Sequence, residues 1–291
     1  MRIGFIGLGA LGSAIAKRLQ EAGHGLYVWG RSTDKLAPWI NAGAVATATP
    51  AALAAACDYV MVCVTDTSAV EDVVFGADGI AAGAHADSVL IDHSTIHPLA
   101  TRNYAARLMR ETRMHWVDAP VSGGVIAATL GRLVIMAGGE QAIVDRIRPL
   151  LACYGLRVTH MGANGAGQAT KIANQMMIGG NVAVAAEALN YAANFGVAAS
   201  RLPDALADGW ADSAVLQHHA RRMAAADYVG EVNATIMAKD IDIACDLGRE
   251  TVSPMPVTAL VQQLYRQLIA DGDADKGQSG LMWLYKQTPL E

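Results

Sequence analysis

The sequence predicts an α/β domain with a mostly parallel sheet, followed by an all-helical domain. Short apolar, strand-like runs alternate with helix-like segments through the first 162 residues, an order typical of βαβ units. A glycine-rich turn joins the first of these strands to the first helix. From Ala166 onward the hydrophobic periodicities are helical. We therefore expect one domain over residues 1–162 and a second over residues 163–291.

The strand predictions rest on short apolar runs, and the helix predictions rest on spacings of three and four residues. We predict strands at residues 2–6, 26–29, 60–64, 89–92, 116–118, 133–137 and 157–160. We predict helices between several of these strands, at residues 13–19, 50–56, 68–74 and 99–111. The alternation indicates a doubly wound sheet, which places its ligand in the loops at the carboxyl ends of the strands.

The turn after the first strand reads Gly7-Leu8-Gly9-Ala10-Leu11-Gly12, a GxGxxG motif between a strand and a helix. Gly7 permits a tight turn, Gly9 lets the backbone approach phosphates, and Gly12 lets the helix pack closely on the strand. The free N–H groups and the positive end of the helix dipole then face an anion. The motif predicts a dinucleotide site of the Rossmann type in this turn. An ordinary tight glycine turn is the alternative.

The end of the second strand indicates which dinucleotide is bound. An NAD site usually carries Asp or Glu there, to accept hydrogen bonds from the ribose 2′-hydroxyl. Here the strand ends in Gly30-Arg31-Ser32-Thr33, and the first carboxylate is Asp34. The cation of Arg31 and the hydroxyls of Ser32 and Thr33 suit a 2′-phosphate. These residues favour NADP over NAD, and a solvated turn residue at Arg31 is the alternative.

The helical half carries a polar group near its start. Lys171, Asn174 and Gln175 follow a glycine-rich entry at residues 162–167, and their offsets of three and four place them on one face of a helix. An amine beside carboxamides on an otherwise apolar helix is costly to bury without a purpose. The group suits proton transfer, with the amides orienting the amine and a substrate. From local sequence alone, an exposed helix residue at Lys171 is the alternative.

Three loops at predicted carboxyl ends of strands are rich in small residues and hydroxyls, at residues 65–68, 93–95 and 120–124. Val64, the last residue of the predicted strand at 60–64, and Thr65, the residue after it, are expected to contact the dinucleotide. The turn Ser122-Gly123-Gly124 exposes backbone N–H groups that suit a substrate carboxylate, in a nest-like arrangement. An ordinary tight turn is the alternative at that position.

Composition excludes several classes of protein. Hydrophobic residues make up 53% of the chain, which excludes disorder, and a net charge of −5 offers no general attraction to nucleic acid. The most apolar long segment, residues 172–193, contains several Asn, Gln and Glu residues, so we expect no membrane span. Four scattered cysteines without a CxxC spacing, and no basic region before the first apolar run, predict a cytoplasmic protein. We expect no metal site, because no histidine, cysteine and carboxylate lie at ligand spacing.

These motifs together resemble the β-hydroxyacid dehydrogenase family, which includes 3-hydroxyisobutyrate dehydrogenase and tartronate semialdehyde reductase. Five motifs occur in the family's order, at residues 4–9, 91–95, 118–124, 165–167 with 171–174, and 239–240. The resemblance runs over nearly the whole chain and implies a small β-hydroxy acid or its semialdehyde as the substrate. It further implies a helical domain like that of 6-phosphogluconate dehydrogenase, and a homodimer or homotetramer.

The resemblance also implies roles for individual residues. Lys171 matches the catalytic lysine, the general acid or base at the substrate oxygen, and Asn174 would position the substrate. Ser122, Gly123 and Gly124 would hold its carboxylate. Thr95 matches the family's contact near the nicotinamide, and Lys239 matches a cofactor contact from the helical domain, which Asp240 would fix in place.

Three positions depart from the family's pattern. Leu11 replaces the frequent Met of the glycine motif, a volume-conserving change that should matter little. Gly30 stands where an Asn often precedes the arginine, which weakens the preference for NADP. Gln175 replaces a second Asn, and its extra methylene puts the substrate in doubt. Imine reductases share the architecture, but many carry Asp or Tyr in place of Lys171. A non-catalytic dinucleotide sensor or scaffold is the other alternative, although such members tend to lose the lysine. A 6-phosphogluconate type would need cations in the cleft loops, which contain none.

Overall fold

The computed structural model describes residues 1–228 and 232–285. Its contacts divide the chain into two compact units, Met1–Lys171 and Ile172–Glu291. The division falls inside one long helix, Ala166–Asn194, which begins in the first unit and continues in the second. The domain boundary at residue 162 stays a prediction: it lies at the end of the strand Gly155–Gly162, whereas the division by contacts falls after Lys171.

Within residues 1–171, all of which the structure describes, nine strands form one sheet. Their bounds are Ile3–Ile6 (β1), Leu26–Trp29 (β2), Val45–Ala46 (β3), Tyr59–Val62 (β4), Val89–Asp92 (β5), His115–Asp118 (β6), Val121–Ser122 (β7), Leu133–Gly138 (β8) and Gly155–Gly162 (β9). The strand order is β3-β2-β1-β4-β5-β6-β8-β7, and β9 pairs with β8. Strands β1 to β6 are parallel, whereas β8 runs antiparallel to β6 and β7 and parallel to β9.

The described residues of the first unit contain eight complete α-helices and the start of a ninth. Their bounds are Ala10–Glu21 (α1), Ala37–Asn41 (α2), Pro50–Ala56 (α3), Thr67–Phe75 (α4), Ile80–Gly83 (α5), Pro98–Thr112 (α6), Gly124–Thr129 (α7), Gln141–Leu151 (α8) and Ala166–Asn194 (α9). Helices cover both faces of the sheet because successive strand residues point to opposite sides. Phe5 packs in a cluster with Ile15 of α1, whereas its neighbour Ile6 packs in another with Leu53 of α3.

The described residues of the second unit, 172–228 and 232–285, form helices and no strand. After α9 come Leu202–Ala205 (α10), Arg221–Ala224 (α11), Ala234–Glu250 (α12) and Pro256–Ala270 (α13), with short 3₁₀ or π turns between them. Leu189 of α9, Ile241 of α12 and Tyr265 of α13 are fully buried in one core cluster. The second unit therefore has a hydrophobic core of its own.

The predicted fold class is confirmed. The order β3-β2-β1-β4-β5-β6 is that of the Rossmann fold, and the order reverses between β1 and β4, where such sheets bind ligands. The predicted strands at 26–29 and 89–92 match β2 and β5 residue for residue. The sequence analysis did not predict two strands, β3 and β7. Each has two residues, which are too few to show the alternation of apolar and polar residues that is typical of a strand.

A buried pair, His93 and Tyr154, joins the end of β5 to the region before β9. The Tyr154 hydroxyl lies 2.9 Å from His93 Nε2, and His93 Nδ1 lies 2.7 Å from the carbonyl oxygen of Ala119. Because a carbonyl only accepts, Nδ1 carries the hydrogen, and Nε2 accepts a hydrogen bond from Tyr154. Burial lowers the pKa of His93 to about 4, so the imidazole is neutral at physiological pH.

We expect His93 to make the protein less stable in mild acid. Between about pH 6.5 and pH 4 the unfolded chain takes up a proton at His93 and the folded chain does not, so the free energy of unfolding falls by about 3 kcal/mol as pH is lowered through this range. Above and below this range the group contributes no further pH dependence. Denaturation of the wild type and of His93→Gln at several pH values measures the difference, because other titrating groups are common to both proteins. Parallel pH profiles would contradict a neutral buried His93.

Candidate functional site

The glycine turn between β1 and α1 has the geometry of a phosphate cradle. Gly7 adopts φ +97°, and a Cβ there would lie 2.1 Å from the carbonyl oxygen of Cys63. A Cβ on Gly12 would lie 2.0 Å from the carbonyl oxygen of Gly7. A Cβ on Gly9 would meet nothing within 4 Å, so open space faces the backbone at that position. Two glycines thus allow close packing, and the third leaves room beside the helix N-terminus.

The electrostatics of this turn suit an anion. Gly9 is the N-cap of α1, and no side chain caps the N–H groups of this helix end. The first turn of α1 contains no acidic residue. The first N–H groups of a helix have no partner inside the helix, and the helix dipole places positive charge there. A dinucleotide pyrophosphate fits this donor set, with backbone N–H groups from the turn as its ligands.

The end of β2 presents its polar residues to solvent. Arg31, Ser32 and Thr33 are all exposed, and Thr33 begins a 3₁₀ turn, Thr33–Leu36. Since β2 is the direct neighbour of β1 in the sheet, this segment and the glycine turn follow the carboxyl ends of adjacent parallel strands. An exposed guanidinium with two hydroxyls beside it has the chemistry of a phosphate site.

The loops after β4 and β5 are joined by hydrogen bonds. The Val64 N–H donates to Ser94 Oγ (2.9 Å), and the Ser94 N–H donates to Asp92 Oδ1 (2.9 Å). Thr65 is exposed at the start of its loop, and Thr95 is half-buried. Burial raises the pKa of the nearby Cys63 thiol to about 12, which keeps that sulfur protonated and unsuited to nucleophilic chemistry.

The segment Ser122-Gly123-Gly124 spans the end of β7 and the start of α7. Ser122 pairs with Val134 of β8 and is half-buried, whereas Gly123 and Gly124 are exposed. Both glycines have positive φ, +119° and +64°, and a Cβ on Gly124 would meet nothing within 4 Å. A Cβ on Gly123 would lie 2.5 Å from the Cβ of Ala127. The backbone therefore turns sharply at an exposed position, an arrangement of N–H groups that suits a small anion.

The first turn of α9 is fixed to the end of β6 by a buried carboxylate. Asp118 Oδ1 accepts from the Gly165 N–H (2.9 Å), and its Oδ2 accepts from the Gln168 N–H (3.0 Å). Burial raises the pKa of Asp118, and these backbone hydrogen bonds oppose that shift. Asp118 thus caps the helix that carries Lys171, which is only 8% exposed. A lysine residue largely buried on an anchored helix suits proton transfer better than a solvated surface lysine does.

A polar network lies in the second unit, on α9 and α12. Asn174 Nδ2 donates to Gln175 Oε1 (2.9 Å), and Gln175 Nε2 donates to Asp240 Oδ2 (2.7 Å). Asp240 is 2% exposed, and its Oδ1 lies 3.0 Å from Lys239 Nζ. Asp240 is therefore a buried partner of Lys239 and does not form a plain surface pair with it. Gln175, whose extra methylene stood out in the sequence, links Asn174 to this ion pair.

The sequence analysis did not identify the residues that hold other parts of the site in place. It did not identify Gln168, which is fully buried, or the capping role of Asp118, although both lie in motifs quoted for the resemblance or beside them. A polar residue at a buried helix position is the signal that would have indicated Gln168. Residues 1–228 and 232–285 contain no cluster of three metal-ligating side chains and no helix long and apolar enough to cross a bilayer.

Comparison with known proteins identifies the family. Residues 2–162 match the model of the NAD-binding domain of 6-phosphogluconate dehydrogenase, and residues 165–285 match that of the NAD-binding domain of NADP-dependent 3-hydroxyisobutyrate dehydrogenase. The chain is 35% identical over 284 residues to 2-hydroxy-3-oxopropionate reductase of Escherichia coli K12, which covers 97% of this chain and 96% of that protein.

Solved structures agree with these matches. The chain resembles a 3-hydroxyisobutyrate dehydrogenase of Mycobacterium tuberculosis, solved with L-serine, with a TM-score of 0.89 and 26% identity over 98% of this chain and 99% of that one. It also resembles Psf3 in complex with NADP⁺ and 2-OPP, with a TM-score of 0.86 and 26% identity over 97% and 99% of the two chains. The chain therefore belongs to the β-hydroxyacid dehydrogenase family of NAD(P)-dependent oxidoreductases.

Proposed function

We propose that this protein is an NADP-preferring oxidoreductase that interconverts a small β-hydroxy acid and its semialdehyde or keto acid. The observation that carries the proposal is Lys171, a residue only 8% exposed on a helix whose first turn is capped by the end of β6. Relatives named for 2-hydroxy-3-oxopropionate and 3-hydroxyisobutyrate support this class of substrate. A sensor or an imine reductase is less well supported, because the lysine is present and the family match extends over the whole chain.

The proposed cofactor contacts are those that the sequence motifs and the family resemblance imply. The turn from Gly7 to Gly12, including Leu8, Ala10 and Leu11, would hold the pyrophosphate on its N–H groups. Arg31, Ser32 and Thr33 would hold the 2′-phosphate, and Val64, Thr65, Thr95 and Lys239 would make further contacts. When bound, the nicotinamide supplies or accepts a hydride at the substrate carbon. A similar structure contains NADP⁺, which supports the preference.

The proposed role of Lys171 is proton transfer at the substrate oxygen. In reduction, the substrate carbon would receive the hydride, the C=O π electron pair would move to the oxygen, and the Lys171 ammonium would donate a proton to that oxygen, which gives an alcohol. The neutral amine then recovers a proton from water. In oxidation, the amine accepts the hydroxyl proton as the C=O bond forms. Ser122, Gly123 and Gly124 would hold the substrate carboxylate, and Asn174 would orient the substrate.

A substrate panel tests this proposal together with its cofactor preference. We expect NADPH oxidation with one or more of succinic, methylmalonate and tartronate semialdehydes, no reduction of cyclic imines, and a lower kcat/KM with NADH. Arg31→Ala should weaken NADPH binding by about tenfold, the value of one charged hydrogen-bonded contact, and leave NADH binding nearly unchanged. Binding of NADPH without turnover of any substrate in a broad panel would favour the sensor. Equal losses for both dinucleotides in Arg31→Ala would contradict the 2′-phosphate contact.

We place the protein in the cytoplasm as a homo-oligomer. All four cysteines are free, in accord with a reducing compartment. Along α9, Met177, Val184 and Tyr191 recur every seven residues and are 64–73% exposed. A stripe of large apolar side chains with this spacing suits the face of a helix that packs against a partner chain. Light scattering in solution measures the mass that distinguishes a monomer from a dimer or a tetramer.

A further inference from the structure

Both the oxygen and the nitrogen of the Gln168 side-chain amide form hydrogen bonds to one loop of the first unit. Its Oε1 accepts from the Ile96 N–H (3.1 Å), and its Nε2 donates to the Ser94 carbonyl oxygen (2.8 Å). The residue between these two partners is Thr95. The amide therefore brackets Thr95 with one accepted and one donated hydrogen bond, and Gln168 is fully buried.

The backbone of Gln168 is also fixed by a hydrogen bond. The Gln168 N–H donates to Asp118 Oδ2 (3.0 Å), so its backbone belongs to the capped first turn of α9. Ser94 in turn accepts from the Val64 N–H through its hydroxyl (2.9 Å). A continuous series of hydrogen bonds thus runs from the loop after β4, through the loop after β5, to α9 and the end of β6. Lys171 follows Gln168 by three residues on the same helix.

We propose that Gln168 is a positioning residue that sets Thr95 relative to the first turn of α9 and therefore relative to Lys171. The inference rests on the proposed function, in which Thr95 lies near the nicotinamide and Lys171 handles the proton. A glutamine suits this role because its amide offers both N–H donors and a carbonyl acceptor at the end of a side chain long enough to reach a neighbouring loop. Glutamate lacks the donor, and methionine lacks both.

The test uses the full-length protein with Gln168→Met and Gln168→Glu. We expect Gln168→Met to lower kcat by about ten- to a hundredfold, because small misplacements of reacting groups cost this much. NADPH affinity should change far less, since the glycine turn is untouched. The primary isotope effect with NADPH deuterated at C4 should increase as hydride transfer becomes slower. Gln168→Glu, which keeps the length and the acceptor for Ile96, should show a smaller loss per folded molecule.

Two measurements separate positioning from general stability. Rates are expressed per NADPH-binding site, so misfolded protein does not count, and Gln141→Met, at an exposed position on α8, is the matched control. Residue-resolved amide exchange of the wild-type protein without cofactor should show a protected Ile96 N–H, and the Met variant should lose that protection. Rapid exchange of Ile96 in the wild type would overturn the inference even if neither variant folds.

The outcomes also distinguish this inference from the proposed function. A Gln168→Met protein with wild-type kcat per site and an unchanged isotope effect would overturn the positioning role and leave the reductase proposal intact. A wild-type protein that neither binds NADPH nor turns over any substrate in the panel would overturn both. A lower kcat with a larger isotope effect and retained NADPH binding would support the inference.

Discussion

Lys171→Met is expected to lower kcat by about a hundred- to ten-thousandfold, the usual contribution of a positioned general acid or base. The substituted side chain has nearly the same length and is apolar, so it fits a position that is 8% exposed in the wild type. NADPH binding should be nearly unchanged, because the glycine turn and the loop after β2 are untouched. Stopped-flow measurement of a single turnover, with NADPH titrated by fluorescence, separates the chemical step from binding.

Three controls make this result specific. Lys17→Met removes an exposed lysine of α1 and should leave kcat at the wild-type value. Lys171→Arg keeps a cation that does not release its proton at neutral pH, so it should be nearly as impaired as the methionine variant. A small primary amine added to Lys171→Ala should restore part of the rate. If the methionine variant retained most of the single-turnover rate, Lys171 would have no part in proton transfer.

The features that could be predicted from the sequence are local. The glycine turn, β2 and β5 each depend on fewer than about ten neighbouring residues, where steric rules and apolar patterning act directly. Lys171 and Asn174 were recognisable because their motif is specific in context. The structure places them on α9 as the spacing predicts.

The features that could not be predicted depend on long-range pairing. Gln168 reaches partners 72 and 74 residues away, and His93 pairs with Tyr154 across 61 residues. A buried amide or imidazole is tolerated only when its hydrogen bonds are satisfied, yet a sequence pattern does not identify the partner. From the sequence alone, Lys239 and Asp240 were equally compatible with a pair on the helix surface. The structure rules out that alternative, because the Asp240 side chain is only 2% exposed.

The second large effect concerns the glycine turn, where neighbouring glycines are expected to fail in different ways. Gly9→Ala should fold with wild-type stability, because its φ of −74° and ψ of −171° are allowed for alanine and its Cβ would meet nothing within 4 Å. The same methyl group would occupy the open space that we assign to the pyrophosphate. We expect NADPH affinity to fall by about tenfold or more, since backbone N–H groups would no longer reach the phosphates.

Gly12→Ala should instead lose stability, because its Cβ would lie 2.0 Å from the carbonyl oxygen of Gly7 and α1 would have to move away from the strand. Overpacking of this kind costs about 1–3 kcal/mol. Gly25→Ala, where a Cβ would also meet nothing within 4 Å, is the matched control for Gly9→Ala and should change neither property. Thermal denaturation with and without NADPH measures both quantities in one experiment, because at a fixed ligand concentration a tighter-binding ligand raises the midpoint further. If Gly9→Ala kept the full NADPH-dependent rise in Tm, the phosphates would not bind over Gly9, and the dinucleotide would have to lie elsewhere on the sheet edge.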